Sequence, residues 1–270
     1  MRPQVALITG GASGIGRALA GALARRGHTV VIADVDVAAA HRTASELGGA
    51  TTAVALDVTD REAFAAVAQQ VVADHGQLDL LFNNAGIGVG GLADELTAQH
   101  WDRTIDVNLR GVVHGVEAAL PIMRAQRSGH IVNTASLAGL ITAPMMLPYT
   151  TTKHAVVALS RALRNEVRDD GVRVTAVCPS FVATPLLDNL NPGLPSTAAS
   201  EQVQRLSSRT QRHLIDPDDL AEAVLRGLAR NRALVVHPRS AWLAVAAMRL
   251  APPLLEAVTR REIRHYRAIR

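Results

Sequence analysis

Tyr149 and Lys153 stand four residues apart, a spacing that sets a phenol and an ammonium side by side on one face of a helix. A free tyrosine ionises near pH 10 and is a poor base at neutral pH. A neighbouring ammonium stabilises the phenolate and lowers that pKa, so the phenol can exchange a proton with an alcohol or ketone oxygen. Lys153 is the only lysine among 28 basic residues; every other one is arginine. Where a generic positive charge serves, this chain uses a guanidinium, which leaves the compact, tunable ammonium to this one position. The plain alternative is an ordinary surface pair on an arginine-biased chain.

A second group of residues could carry phosphate. Thr9-Gly10-Gly11-Ala12-Ser13-Gly14-Ile15-Gly16 follows an apolar run and precedes a helical pattern. Glycines allow a tight turn and close approach of the backbone to a diphosphate, whose charge is favoured by the free N–H groups of the helix start. The order is Gly-x3-Gly-x-Gly, not the Gly-x-Gly-x2-Gly of the general dinucleotide fingerprint. Its place on the first strand–helix turn of an alternating chain is where doubly wound sheets bind nucleotides. Asp34 ends the second strand-like run, 20 residues after Gly14. A carboxylate there accepts hydrogen bonds from ribose hydroxyls and repels a 2′-phosphate. Val35 follows it and Ser13 precedes Gly14, with no Arg or Lys at those positions to welcome a 2′-phosphate, so the expected cofactor is NAD and not NADP.

Strand and helix patterns alternate around these groups. Strands are expected at 4–9, 29–34, 51–57, 78–83, 129–134, 172–178 and 234–237. Helices are expected at 14–26, from 37 to the Gly48-Gly49 stop, and to about His75 from a capping box of Thr59 and Glu62. Two helical segments fill 97–126, a long helix runs over 148–170, and Asp216-Pro217 opens the last crossover helix. The expected fold is a single α/β domain over residues 1–270, a Rossmann-type doubly wound parallel sheet of about seven strands with helices on both faces. Aromatics at 3% leave the core to Ala, Val, Leu and Ile, which suits helices packed on a parallel sheet. One cysteine, Cys178, excludes an internal disulfide and fits a reducing, cytoplasmic setting. Neither a secretory signal nor a membrane span is read in the chain. No metal site is expected.

Together these residues resemble the classical short-chain dehydrogenase/reductase family, over about residues 4–185. Besides the glycine turn, Tyr149 and Lys153, the resemblance rests on Asp57-Val58, Asn83-Asn84-Ala85-Gly86, Asn108 and Ser136. It implies that Tyr149 is the acid/base and that Ser136 donates a hydrogen bond to the substrate oxygen. It also implies that Lys153 holds the nicotinamide ribose and that Asn108 holds a water continuing the proton relay. By the same resemblance Gly10, Ser13, Gly14, Ile15 and Gly16 cradle the diphosphate, Asp34 the adenosine ribose, and Asp57 and Val58 the adenine. Asn84, Ala85 and Gly86 flank the cofactor, and Pro179, Val182 and Thr184 line the nicotinamide. The family's usual glycine after the proline is Ser180 here.

The segments flanking this set are apolar: Leu137, Leu140, Ile141, Met145, Met146, Leu147, Leu186 and Leu187. They suit an uncharged, hydrophobic secondary alcohol or ketone, steroid-, terpene- or lipid-like. Residues 186–213 read as a substrate lid. The extension 240–270 is apolar and then arginine-rich; it docks on the body, covers a partner subunit or rests on an anionic membrane, with docking the preferred reading. A homodimer or homotetramer is expected, and no nucleic-acid partner, because aromatics are too sparse for base stacking. The competing reading is a non-catalytic NAD-binding module, regulatory or scaffolding. A sugar-nucleotide epimerase fits poorly, since it needs a larger C-terminal substrate domain.

Overall fold

A strand covered on both faces is apolar at successive positions, and β1 (Val5–Thr9) is buried at all five. In the computed structural model, which describes residues 3–198, 200–201, 214–253, 257, 260–261 and 263–264, this strand is an inner strand of the sheet, third of seven. With β2 (Thr29–Asp34), β3 (Thr51–Ala55), β4 (Leu80–Asn83), β5 (Gly129–Thr134), β6 (Val172–Pro179) and β7 (Leu234–His237) it forms seven parallel strands in the order β3-β2-β1-β4-β5-β6-β7. Register is set by in-phase apolar pairs, such as Ile8 opposite Ile32 and Phe82. Helices with described bounds include α1 (Gly14–Ala24), α2 (Val37–Leu47), α3 (Arg61–His75), α4 (Ala98–Ile105), α5 (Gly111–Gln126), α6 (Leu147–Glu166), α7 (Pro185–Asp188), α8 (Pro217–Ala229) and α9 (Ala241–Leu250).

Alternation along β1 divides the core in two. Ala6 and Ile8 meet Leu19 and Leu23 of α1 and Leu220 and Val224 of α8 on one face. Val5 and Leu7 meet Phe64 of α3, Ala119 and Met123 of α5 and Leu163 of α6 on the other. The expected doubly wound sheet with helices on both faces is therefore found. Because the chain builds outward to β3 and then returns to place β4 on the far side of β1, connections leave the carboxyl ends of β1 and β4 in opposite directions. The crevice so opened is where such sheets take a ligand.

Several boundaries differ from the expected ones, each for a local reason. Asp60, not Thr59, caps α3: its carboxylate accepts from Ala63 N at 2.9 Å. Thr59 instead donates its hydroxyl to Asp57 at 2.8 Å, so no box with Glu62 forms. β3 stops at Ala55, not at residue 57. β4 begins at Leu80 and not at residue 78, where the N–H is taken by the Gln126 side chain at 2.9 Å. The long helix ends at Glu166 and gives way to a single 3-10 turn over Arg168–Asp170. Asp216 caps α8 as expected, accepting from Asp218 N.

His130 lies buried in β5 with Nε2 2.8 Å from Thr175 Oγ1. The Thr175 hydroxyl donates to Arg232 O, so the histidine supplies the proton of the shared bond. Burial, with the charges of Arg173 and Arg164, pushes its pKa down from 6.5 to about 3. The folded chain keeps this ring neutral while the unfolded chain takes up a proton below pH 6.5. Stability from this residue is therefore intact above pH 6.5 and is lost as pH falls toward 3, at up to about 1.4 kcal/mol per unit. Urea unfolding at pH 7 and pH 5 should show wild type losing about 2 kcal/mol more than His130→Gln over that interval.

Candidate active site

The crevice is built from the first strand–helix turn and the end of β4. Asn84 holds the two together: its Nδ2 donates to Thr9 O at 3.0 Å and to Gly10 O at 3.2 Å. Thr9 Oγ1 accepts from the N–H groups of Asn84 and Ala85 and donates to Phe82 O. Gly16 cannot carry a Cβ, because the atom would overlap the Gly10 carbonyl. Gly14 sits at φ +50, with Thr184 Cγ2 3.0 Å from the place its Cβ would take. Ser13 makes no side-chain cap on α1, so the first-turn N–H groups remain available to an anion. Asp34 spends one carboxylate oxygen on Ala12 N (3.1 Å) and the other on Asp36 N (3.1 Å), and each oxygen keeps acceptor capacity.

These residues line one end of a continuous cleft of about 390 Å³. Gly10, Ser13, Gly14, Ile15, Asp34, Asp57, Val58, Asn84, Ala85 and Gly86 face it, as do Pro179, Val182 and Thr184. Gly16 supports the turn from behind. Burial alone would raise the Asp57 carboxyl, but two hydrogen bonds from Thr59 and the charge of Arg103 hold it below its usual value. Arg103 also lines the cleft and is absent from the sequence reading, since an arginine on a polar helix face gives no signal of its own.

Ser136, Tyr149 and Lys153 line the same cleft and lie next to one another. Tyr149 occupies the first turn of α6, started by Pro148, and Ser136 opens a short 3-10 turn after β5. Ser136 is a hydrogen-bond partner of the phenol. Lys153 is 4% exposed, donates from Nζ to Thr134 O at 2.8 Å and stands 5.5 Å from the centre of the Tyr149 ring. Burial lowers its pKa to about 8. For the phenol the balance runs opposite to the sequence expectation. Burial raises the Tyr149 pKa above 10, and the hydrogen bond from Ser136 only partly offsets this. The ammonium is drawn to the Thr134 carbonyl, not to the phenol oxygen. Cys178 lies buried close by, its thiol pushed up to about 12 by burial.

Asn108 stands on a π-turn, Asp106–Arg110, between α4 and α5, a feature that recurs at functional sites. Its Oδ1 accepts from Ile87 N at 2.8 Å and its Nδ2 donates to Ile87 O at 3.0 Å. The side chain thus holds the backbone beside Gly86 and keeps one N–H and one lone pair for a further partner such as a relay water. A buried ladder unseen in the sequence fixes α6 against the sheet. Asn83 Nδ2 donates to Asn133 Oδ1, Asn133 Nδ2 to Ser160 Oγ, and Ser160 Oγ to Val156 O.

Leu137, Ile141, Met146, Leu186 and Leu187 form the apolar walls as expected. The others stand apart: Leu140 packs into the core with Val156 and Cys178, Met145 packs on Leu92, and Leu147 is exposed. Ser180 in place of glycine leaves the backbone unstrained, because its φ is not positive and its N–H bonds His237 O at 2.8 Å. Part of the expected lid is tied down. Asn191 accepts from Gly90 N and donates to Gly90 O, Thr197 donates to the same carbonyl, and His100 Nε2 lies 3.0 Å from Pro195 O. Residues 202–213 of that lid lie outside the described residues, as do Arg267 and Arg270 of the extension. Among the described residues, no group of His, Cys, Asp and Glu is placed to hold a metal.

The model of the short chain dehydrogenase family matches residues 4–195. The chain belongs to the classical short-chain dehydrogenase/reductase family. A short-chain dehydrogenase/reductase from Burkholderia phymatum, solved in complex with NAD, superposes with a TM-score of 0.87 at 34% identity, covering 94% of this chain and 95% of that one. Cyclohexanol dehydrogenase of an Acinetobacter species is 36% identical over 236 residues, 86% of this chain and 90% of the relative. The probable oxidoreductase EphD of Mycobacterium tuberculosis is 33% identical over 260 residues, 94% of this chain but 44% of that longer protein. As a short-chain dehydrogenase/reductase the chain is an oxidoreductase that works with a nicotinamide cofactor.

Proposed function

We propose that this dehydrogenase transfers hydride between NAD(H) and a hydrophobic secondary alcohol or ketone. The observation that carries this reading is that Ser136, Tyr149 and Lys153 line one cleft together with the residues of the phosphate turn and an apolar wall. The cofactor, when bound, supplies the site that accepts or gives the hydride. Tyr149 takes the alcohol proton or returns it to the ketone oxygen, and Ser136 donates a hydrogen bond to that oxygen and steadies the phenolate. Lys153, fixed by Thr134 O, holds the ribose, and Asn108 holds the water that passes the proton on. Gly10, Ser13, Gly14 and Ile15 bind the diphosphate, Asp57 and Val58 the adenine, and Pro179, Val182 and Thr184 the nicotinamide. Residues 186–213 serve as the substrate lid, held to Gly90 through Asn191 and Thr197, and the chain acts as a homodimer or homotetramer in the cytoplasm.

NAD is favoured over NADP by Asp34, whose carboxylate would repel a 2′-phosphate. Arg17, one turn into α1, is exposed and pairs with Glu46 at 2.7 Å. Following NADH absorbance across cyclic and open-chain secondary alcohols, cyclohexanol included, tests substrate and cofactor together. Turnover should rise with the apolar bulk of the alcohol, and kcat/KM should be higher with NAD(H) than with NADP(H). Asp34→Ala should narrow that preference by about tenfold, the equivalent of one lost charge-assisted hydrogen bond. A preference for NADP(H) in wild type would overturn the cofactor reading.

A further inference from the structure

The run after β4 is rich in glycine, Gly86-Ile87-Gly88-Val89-Gly90-Gly91, and residues 88–91 are buried. Two segments that supply apolar walls of the cleft rest on this strip. The first is residues 186–198. Leu190 Cδ2 and Leu186 Cδ2 stand 2.6 and 2.9 Å from the place a Cβ on Gly88 would take, and Thr197 Cγ2 3.2 Å from that on Gly91. So close an approach is open only to a backbone without side chains. The second is the run that leads into Tyr149. Gly91 N donates to Met145 O at 2.7 Å, and Gly91 pairs with Met146 in a short parallel bridge. Leu186, Leu187 and Met146 all line the cleft, so one strip of backbone carries both walls.

Asn191 fastens the first wall. It is 4% exposed and sits at φ +58, a conformation that asparagine adopts more readily than most residues. Its side-chain amide meets Gly90 as the peptide group of a neighbouring strand would. Oδ1 accepts from Gly90 N at 2.9 Å, and Nδ2 donates to Gly90 O at 3.0 Å and to Pro195 O at 3.3 Å. The Asn191 N–H donates to Gly88 O at 2.9 Å. Thr197 Oγ1 donates to Gly90 O at 2.6 Å and accepts from Ser200 N. Removing the Asn191 amide would leave the buried Gly90 N–H without this partner, a cost that a freely opening surface loop does not carry.

Segments that open readily are held by few contacts and exposed hydrogen bonds. Here the bonds are buried, and Leu186 and Leu187 lie on α7 only a few residues before Asn191. An apolar wall that keeps its place discriminates among ligands by how well their bulk fills the space against it. We infer that Asn191 is a positioning residue for the substrate: through Gly88 and Gly90 it holds Leu186 and Leu187 as a fixed wall that, with Met146, reads the apolar bulk of the alcohol. This rests on the catalytic reading proposed above.

Two variants of the full chain test it from opposite sides of the contact. Asn191→Gly keeps the backbone conformation and removes only the amide. Gly88→Ala leaves Asn191 intact and displaces Leu186 and Leu190. In each, KM for cyclooctanol should rise by about tenfold, with kcat and the Kd for NAD(H) within about twofold of wild type. The ratio of kcat/KM for cyclooctanol to that for cyclohexanol should fall toward one by at least about fivefold. Hydrogen exchange reads the latch without catalysis: amides of residues 186–198 should exchange at least about tenfold faster in Asn191→Gly, and those of α1 at the wild-type rate. Unchanged exchange over 186–198 would overturn the latch. Faster exchange with the alcohol ratio unchanged in both variants would overturn the role in substrate choice. Should Asn191→Gly also lose NAD(H) affinity, the ratio in Gly88→Ala decides. A wild type that turns over neither alcohol would overturn the catalytic reading and the role in substrate choice with it, and exchange would still decide the latch.

Discussion

Tyr149→Phe should lower kcat for alcohol oxidation by at least about 10³-fold while leaving the Kd for NAD(H) within about twofold of wild type. The substitution keeps the ring that packs beside Lys153 and removes only the oxygen that exchanges the proton. Burial holds the phenol above its ordinary pKa, so without cofactor Tyr149 is an acid. That state suits protonation of a ketone oxygen, whereas alcohol oxidation needs the phenolate. Oxidation by wild type should therefore rise with pH into the alkaline range, and the residual activity of Tyr149→Phe should lose that dependence. Ser136→Ala removes the hydrogen bond that offsets burial and should shift the alkaline rise upward. Alcohol oxidation by Tyr149→Phe at the wild-type rate, with NAD still bound, would sink the mechanism, whereas NAD binding by wild type with no turnover of any alcohol or ketone would leave the non-catalytic cofactor-binding module as the better reading.

Lys153→Met should lower kcat/KM by about 10²-fold or more, with much of the loss appearing as weaker cofactor binding. The ammonium is enclosed: its carbonyl partner is Thr134, and a Cβ on Gly86 would stand 3.5 Å from Nζ. Methionine fills most of the side chain's volume, so the packing loss is small and the missing charge is what the experiment reads. Arginine should not rescue the variant, because a planar fork does not fit a space shaped for an ammonium. The pH dependence separates a charge effect from a packing effect. Because the pKa of Lys153 is lowered to about 8, the ammonium is present below that pH and is lost as pH rises through it. Wild-type affinity for NAD(H) should weaken above pH 8, and that of Lys153→Met should not change there.

Much of the site was readable because its parts are local. Helical geometry alone places Tyr149 beside Lys153, and the glycine turn with the carboxylate of Asp34 is spelled out by strand and helix periods on either side. The misplaced cap at Thr59 was a contest between neighbours: Asp60 offered a carboxylate one residue later, and Asp57 claimed the threonine hydroxyl. Leu140, Met145 and Leu147 were read as pocket because apolar loop residues look alike before the chain closes around them.

By itself the sequence determined the doubly wound order of elements, the phosphate turn, the acidic strand end and the phenol–ammonium pair, all of which follow from spacing along the chain. Tertiary structure alone decided what those groups experience. Desolvation sums over everything packed around an atom, so it raised the phenol where the pair in isolation would lower it. Folding also brought partners from distant elements: Thr134 O to Lys153, Ile87 to Asn108, Arg103 to Asp57 and Gly90 to Asn191. Spacing reports which residues can share a helix face, and only the closed fold determines how much water and charge each of them keeps.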